Sequence, residues 1–324
     1  MLVGLVMLRP WRWFACFGLF LSECFLTSLA LQAVYVKTTD GTLRGFASTV
    51  LEKPIITFLG VPFATPPVAD LRFRPPLPSK PWKGVRDAIK PAPTCIQPPP
   101  EKCKVFNFCP FLGQQNDPMT RVWLNTTEMS EDCLYLNIWT NAIDGTRNQV
   151  DEDIWTSRKR RSKNAMPNFQ KLNGCPVMVW IHGGNFVSGS ASLEIYNGET
   201  LASEHGVIVV SIQYRLGPLG FLSLGTPGAP GNQGLLDQVE ALQWIRRNIV
   251  YFGGNPKQIT LFGHGAGAIS ASLHLFSPIS SNLFQQAILQ SGSPLVWWAV
   301  DGAQSAINKV SASAFCGKTS NSGL

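Results

Sequence analysis

The chain has 324 residues, 45% of them hydrophobic, enough to bury a substantial core in one large α/β domain or two small ones. Its formal net charge is +7, of which five come from Arg158, Lys159, Arg160, Arg161 and Lys163 and one from the N-terminal segment. The near-neutral remainder argues against a nucleic-acid-binding face, and no nucleic-acid motif is present.

Residues 1–30 read as a signal peptide. Arg9 and Arg12 precede an apolar run from Trp13 to about Leu29, and Ser28-Leu29-Ala30 offers small residues for cleavage. An uncleaved signal anchor is the competing reading, since the run is nearly long enough to span a bilayer. Both place residues 31–324 in an oxidising compartment, secreted or at the cell surface. Asn125-Thr126-Thr127 is a glycosylation sequon that fits this address.

Alternation from Val34 to Ser48, with a turn at Asp40-Gly41, predicts a hairpin, and Ile55 to Phe63 predicts another strand. Pro66 to Pro110 is crowded with proline and reads as an irregular surface segment pinned by disulfides. Cys133 to Trp139 resumes strand character. Residues 141–173 lose periodicity and read as a disordered basic insertion. There, Arg158, Lys159, Arg160 and Arg161 form either a furin-type processing site or a solvated charged loop.

Regular βαβ alternation follows. Pro176 to Ile181 and Val207 to Ile212 are continuous apolar runs, as in parallel strands covered on both faces. Leu235, Leu236, Val239, Leu242, Ile245 and Ile249 recur at helical spacing, and Gly253-Gly254-Asn255-Pro256 ends that helix. Gln258 to Gly267 is an apolar run ending in a glycine-rich corner, with an Ala/Ser/Leu-rich segment to Phe276 behind it. Phe284 to Leu289 predicts a strand and Ala303 to Phe315 a helix. Six cysteines lie outside the leader, namely Cys95, Cys103, Cys109, Cys133, Cys175 and Cys316. Full pairing is permitted and spacing cannot assign it. None has metal-ligand spacing, and no metal or cofactor is expected.

The corner Gly263-His264-Gly265-Ala266-Gly267 has the strand–turn–helix layout of the nucleophile elbow, G-x-S-x-G, of α/β-hydrolases. Gly265 stands where that chemistry needs serine, and it has no hydroxyl to attack a carbonyl. His264 and His274 lie close by in sequence, whereas His182 and His205 precede the elbow. Ser270 and Ser272 would sit within the following helix, packing or capping. Asp301 is the one carboxylate after Gly265, so no acid and histidine follow in the order the fold uses.

His182-Gly183-Gly184-Asn185-Phe186, Pro230 to Gln238, Phe252 to Pro256, Ala287 to Ser293 and Glu131 to Asn137 together resemble type-B carboxylesterases. The resemblance runs from Val34 to about Cys316, the N-terminal three-fifths of the usual domain. It implies an α/β-hydrolase fold, a mostly parallel central sheet with helices on both faces, incomplete at its C-terminal side. It also implies an oxyanion hole from the backbone N–H groups of Gly183, Gly184 and Ala266. Within the family the cholinesterase branch fits best. Trp123 is similar to the tryptophan whose face holds the choline ammonium, Trp298 to the acyl-pocket tryptophan, and Tyr196-Asn197-Gly198 also matches. Packing aromatics are the competing reading, and His264 stands where the family has a glutamate before the serine. The resemblance implies a Cys95–Cys133 disulfide and, for Cys316, a partner downstream. It leaves Cys103, Cys109 and Cys175 unassigned, a Cys103–Cys109 bridge being one option.

Glycine at the serine position is similar to neuroligin-type adhesion proteins. The expectation is a catalytically inactive, secreted or cell-surface protein with an extracellular protein partner and a vestigial small-molecule pocket. It binds no nucleic acid and carries no C-terminal membrane span. The alternatives are an ester hydrolase of the family and a fragment of a longer homologue.

Overall fold

The structure, a computed structural model, describes residues 32–98, 127–143, 174–296 and 299. The leader, Trp123, Asn125, the Arg158–Arg161 run, Trp298, Cys103, Cys109, Cys316 and the helix expected at 303–315 lie outside the described residues.

Strands β1 (Gln32–Lys37), β2 (Thr42–Val50) and β3 (Lys53–Pro62) form the antiparallel N-terminal part of the main sheet. The β1–β2 turn falls at Asp40-Gly41, as the sequence predicts, and Leu51 and Glu52 turn β2 into β3 with positive φ. Short β4 (Val85–Asp87) pairs parallel with Thr42–Arg44 of β2, on the edge that β3 uses further along, and β5 (Thr94–Cys95) pairs with β6 (Met129–Ser130) apart from the main sheet. β7 (Tyr135–Thr140) pairs antiparallel with β3.

The parallel part comprises β8 (Cys175–Ile181), β9 (Ile208–Ile212), β12 (Gly254–His264) and β13 (Gln286–Gln290). The order across the sheet is β1-β2-β3-β7-β9-β8-β12-β13. Helix α1 (Glu199–His205) connects β8 to β9. After β9 come α2 (Gly217–Phe221), the small β10 (Ser223–Thr226) and β11 (Ala229–Pro230) ribbon, and α3 (Gln233–Asn248). Helix α4 (Ala266–Phe276) links β12 to β13.

The expectation of a mostly parallel sheet is corrected here. The sheet is mixed: tight turns join the antiparallel β1, β2 and β3, and β7 pairs antiparallel with both β3 and β9, whereas the parallel strands are linked by crossovers. Crossover helices begin only after β8, so the long parallel ladders lie in the C-terminal part, and in the N-terminal part only short β4 pairs parallel, with β2.

The pleat divides the core. Val177, Val179 and Ile181 of β8 and Ile259 and Leu261 of β12 face Leu242, Trp244 and Ile245 of α3 and Ala271 of α4. Ile55, Trp139 and Val209 pack on the opposite face against Ala202 of α1, with Phe262 at the margin. Two polar ties join distant parts of the chain. Asp40, at the hairpin tip, accepts from Trp244 Nε1 at 2.8 Å and from Ser79 Oγ at 2.7 Å. Arg215, beyond β9, donates from Nε (2.8 Å), Nη2 (2.6 Å) and its backbone N–H (3.0 Å) to the carboxylate of Asp237 in α3. Among the described residues β13 is the outermost strand of the parallel part. Nearby, Phe276, Ile279 and Leu295 are exposed.

Candidate functional site

β12 delivers the chain to the corner and α4 carries it away. Gly265 holds φ 56° and ψ −117° as the residue before α4, and its N–H donates to Gln290 O of β13 at 2.9 Å. That conformation is one an L side chain adopts only under strain, and it marks a constrained corner. A Cβ placed at Gly265 would meet nothing within 4 Å. The position therefore has room for a side chain and carries none. Gly265 itself supplies no attacking oxygen.

The flanking glycines obey a different logic. A Cβ on Gly267 would lie 1.9 Å from Ile181 O, and one on Gly263 would lie 2.5 Å from Gly267 C. Helix and strand approach so closely that only hydrogen fits. Gly267→Ala is expected to destabilise by about 3 kcal/mol or more, at the upper end of overpacking costs, because backbone rather than a mobile side chain must move. Gly265→Ala should cost less, by backbone strain alone. Urea melts of the two variants check this, and equal losses would mean that packing does not set the glycine pattern.

The turn after β8 abuts the corner. A Cβ on Gly183 would sit 2.6 Å from His264 O. Gly184 has φ 116°, and its carbonyl accepts from the N–H groups of Val187 and Ser188, each at 3.0 Å. Asn185 and Phe186 also have positive φ, so the loop is tightly wound. Among the described residues, no hydrogen bond uses the N–H of Gly183, Gly184 or Ala266. Gly183 lies against His264 of the corner, and Ala266 follows Gly265 as the first residue of α4.

The histidines divide sharply. His182 is fully buried, stacked on Tyr214 with ring centroids 4.4 Å apart, and its Nδ1–H donates to Gly183 O at 2.9 Å. Burial depresses its pKa to about 4, so the ring is neutral. His274, in α4, donates from Nε2 to Gln238 Oε1 at 2.9 Å and accepts from Ser280 Oγ at Nδ1, at 3.0 Å. Gln238 Nε2 donates in turn to Ser270 Oγ at 3.2 Å. Burial again lowers the pKa to about 4. Both rings are structural in their contacts. His264 is exposed on the corner.

Tyr196, predicted to line a pocket, packs on Trp180 with centroids 4.9 Å apart, and Trp180 packs on Phe262 at 4.8 Å. Desolvation pushes the Tyr196 hydroxyl up to about 12. Phe262 and His264 share one face of β12, so this aromatic row runs along the face that carries His264. Cys95 and Cys133 form a disulfide with Cα atoms 5.0 Å apart, and Cys175 is a buried free thiol. The His274–Gln238–Ser280 bolt and the Gln97 contacts described below were missed by the sequence reading. Their partners come from different elements, and no local pattern links them.

Acetylcholinesterase 4 of Caenorhabditis briggsae is 44% identical over 294 residues, covering 91% of this chain and 42% of that protein. The acetylcholinesterase of Bungarus fasciatus is 42% identical over 292 residues, covering 90% of this chain and 42% of that protein. The cholinesterase of Mus musculus is 43% identical over 275 residues, covering 85% and 39%. The chain thus spans 39–42% of the length of these relatives. The carboxylesterase family model matches residues 32–323, and with the α/β-hydrolase core and elbow in place this chain belongs to the carboxylesterase family.

Proposed function

We propose that this chain is a non-hydrolytic member of the family that works by recognition outside the cytoplasm, with an extracellular protein as its partner. One observation carries the reading. The elbow conformation at Gly265 is kept, with open space beside it, and the residue there has no nucleophile. Losing a triad member removes most of the rate enhancement, even where donors that stabilise the oxyanion persist. The N–H groups of Gly183, Gly184 and Ala266 carry no hydrogen bond among the described residues and could hold a ligand oxygen without chemistry. The leader at 1–30 and the sequon at Asn125 support the address.

A second reading, ester hydrolysis, is favoured by relatives that bear cholinesterase names at 42–44% identity. A fluorophosphonate probe with intact mass analysis separates the two. Purified protein is expected to remain unlabelled and to hydrolyse choline and short aryl esters no faster than buffer. Stoichiometric labelling of any serine would establish the hydrolase reading instead.

A further inference from the structure

Gln97 lies in a proline-rich stretch, far in sequence from the turn that faces the elbow, yet it grips that turn from both sides. Its Oε1 accepts from the N–H of Gly189 at 2.9 Å, and its Nε2 donates to Gly189 O at 2.9 Å. The same amide nitrogen reaches Cys95 O at 3.2 Å. A side-chain amide that pairs with one residue's N–H and C=O imitates a strand partner and fixes that residue's plane. Three residues earlier, Thr94 Oγ1 donates to Ser190 Oγ at 2.9 Å. Segment 94–97 therefore holds two consecutive residues, Gly189 and Ser190, from outside.

Gly189 is the far foot of the loop. With φ 112°, it packs so tightly that a Cβ there would lie 2.5 Å from both Gly183 O and His182 Nδ1. A Cβ on Gly184 would lie 2.0 Å from Ser188 O, so the span from Gly183 to Gly189 is closed on itself. A displacement of Gly189 cannot be absorbed within the loop and passes to Gly183 and Gly184. Between Thr94 and Gln97 sits Cys95, tied to Cys133 just before β7. Both cysteines are buried, so the bond anchors the gripping segment to the sheet.

We infer that Gln97 is a positioning residue for the Gly183–Gly184 turn, and that the Cys95–Cys133 bond acts on that turn through it. The inference concerns the turn on which the proposed recognition rests. Its test reads the backbone without a ligand, so the two stand or fall separately.

The experiment is hydrogen exchange, resolved to single amides, on the full chain. Gln97→Ala is expected to speed exchange at Gly189 by about tenfold, the loss of the one part-buried hydrogen bond its N–H makes. It should also speed Val187 and Ser188, whose acceptor is Gly184 O rather than Gln97. Gln97→Glu keeps the acceptor for the Gly189 N–H and loses the donor, and it should fall between the two. Cys95→Ala with Cys133→Ala should accelerate the same three amides. Adding Gln97→Ala to that pair should then accelerate them little further, because contacts acting in series are not additive. If the cysteine variant does not fold, the comparison is made on folded wild type and folded Gln97→Ala, each after phosphine reduction confirmed by intact mass. Acceleration confined to Gly189 in Gln97→Ala would overturn the positioning role. A cysteine effect of equal size with and without Gln97 would overturn the coupling.

Discussion

Between pH 6.5 and pH 4 the folded chain is expected to lose most of its stability, driven by two histidines remote from the exposed surface. His182 and His274 have folded pKa values lowered to about 4 by burial, against an ordinary value of 6.5. The unfolded chain therefore takes up protons first as pH falls. A depressed histidine contributes stability fully above the unfolded value and loses it progressively down to the folded one. At 1.36 kcal/mol per unit, each ring accounts for on the order of 3 kcal/mol, a large part of a typical domain's ~5–15 kcal/mol. Asp237 and Glu240 oppose this trend. Burial raises both carboxyls, so the folded state gains from their protonation as pH falls. Urea melts at half-unit intervals measure the slope of stability against pH. His274→Asn should flatten that slope by about one proton's worth. An unchanged slope would mean that the bolt to Gln238 and Ser280 opens in the folded state and lets water reach the ring.

The second large effect is expected at the Arg215–Asp237 pair, with side chains 4% and 0% exposed. Burial raises the Asp237 carboxyl, and the hydrogen bonds from Arg215 push it back. Asp237→Ala would leave a guanidinium buried without its counter-charge, which costs about 3–5 kcal/mol. It would also strip the acceptor from the Arg215 N–H and loosen α3 from the end of β9. Replacing both partners, Arg215→Met with Asp237→Leu, should cost clearly less than Asp237→Ala, because a buried pair gives back little beyond its own desolvation. Thermal melts of the two variants decide it. A double variant less stable than the single one would show that the pair is net stabilising in this core.

What could be read from the sequence was what local geometry enforces. The strands, the α3 stripe and the elbow follow from side-chain period and from glycine spacing, both of which act within a few residues. The difference between the glycines was not legible. Gly263, Gly265 and Gly267 look alike as letters, yet two face backbone at contact distance and the third faces open space. Gly265 could be identified as the missing nucleophile from its motif position. That the position still has room for a side chain required the neighbours' coordinates. The mixed sheet was missed for a related reason. Apolar runs show that strands are buried, whereas their direction is set by which strands meet. The structural histidines, the Arg215–Asp237 pair, the Asp40–Trp244 tie and the Gln97 clamp came from tertiary structure alone. The bonds from Arg215 to Asp237, His274 to Gln238, Gln97 to Gly189 and Trp244 to Asp40 join residues 22 to 204 positions apart. Sequence alone thus determined the family, the elbow and its missing hydroxyl, because local sterics bind them to particular residues. Tertiary structure decided which polar groups are buried together, because burial and pairing depend on which distant elements the fold brings into contact.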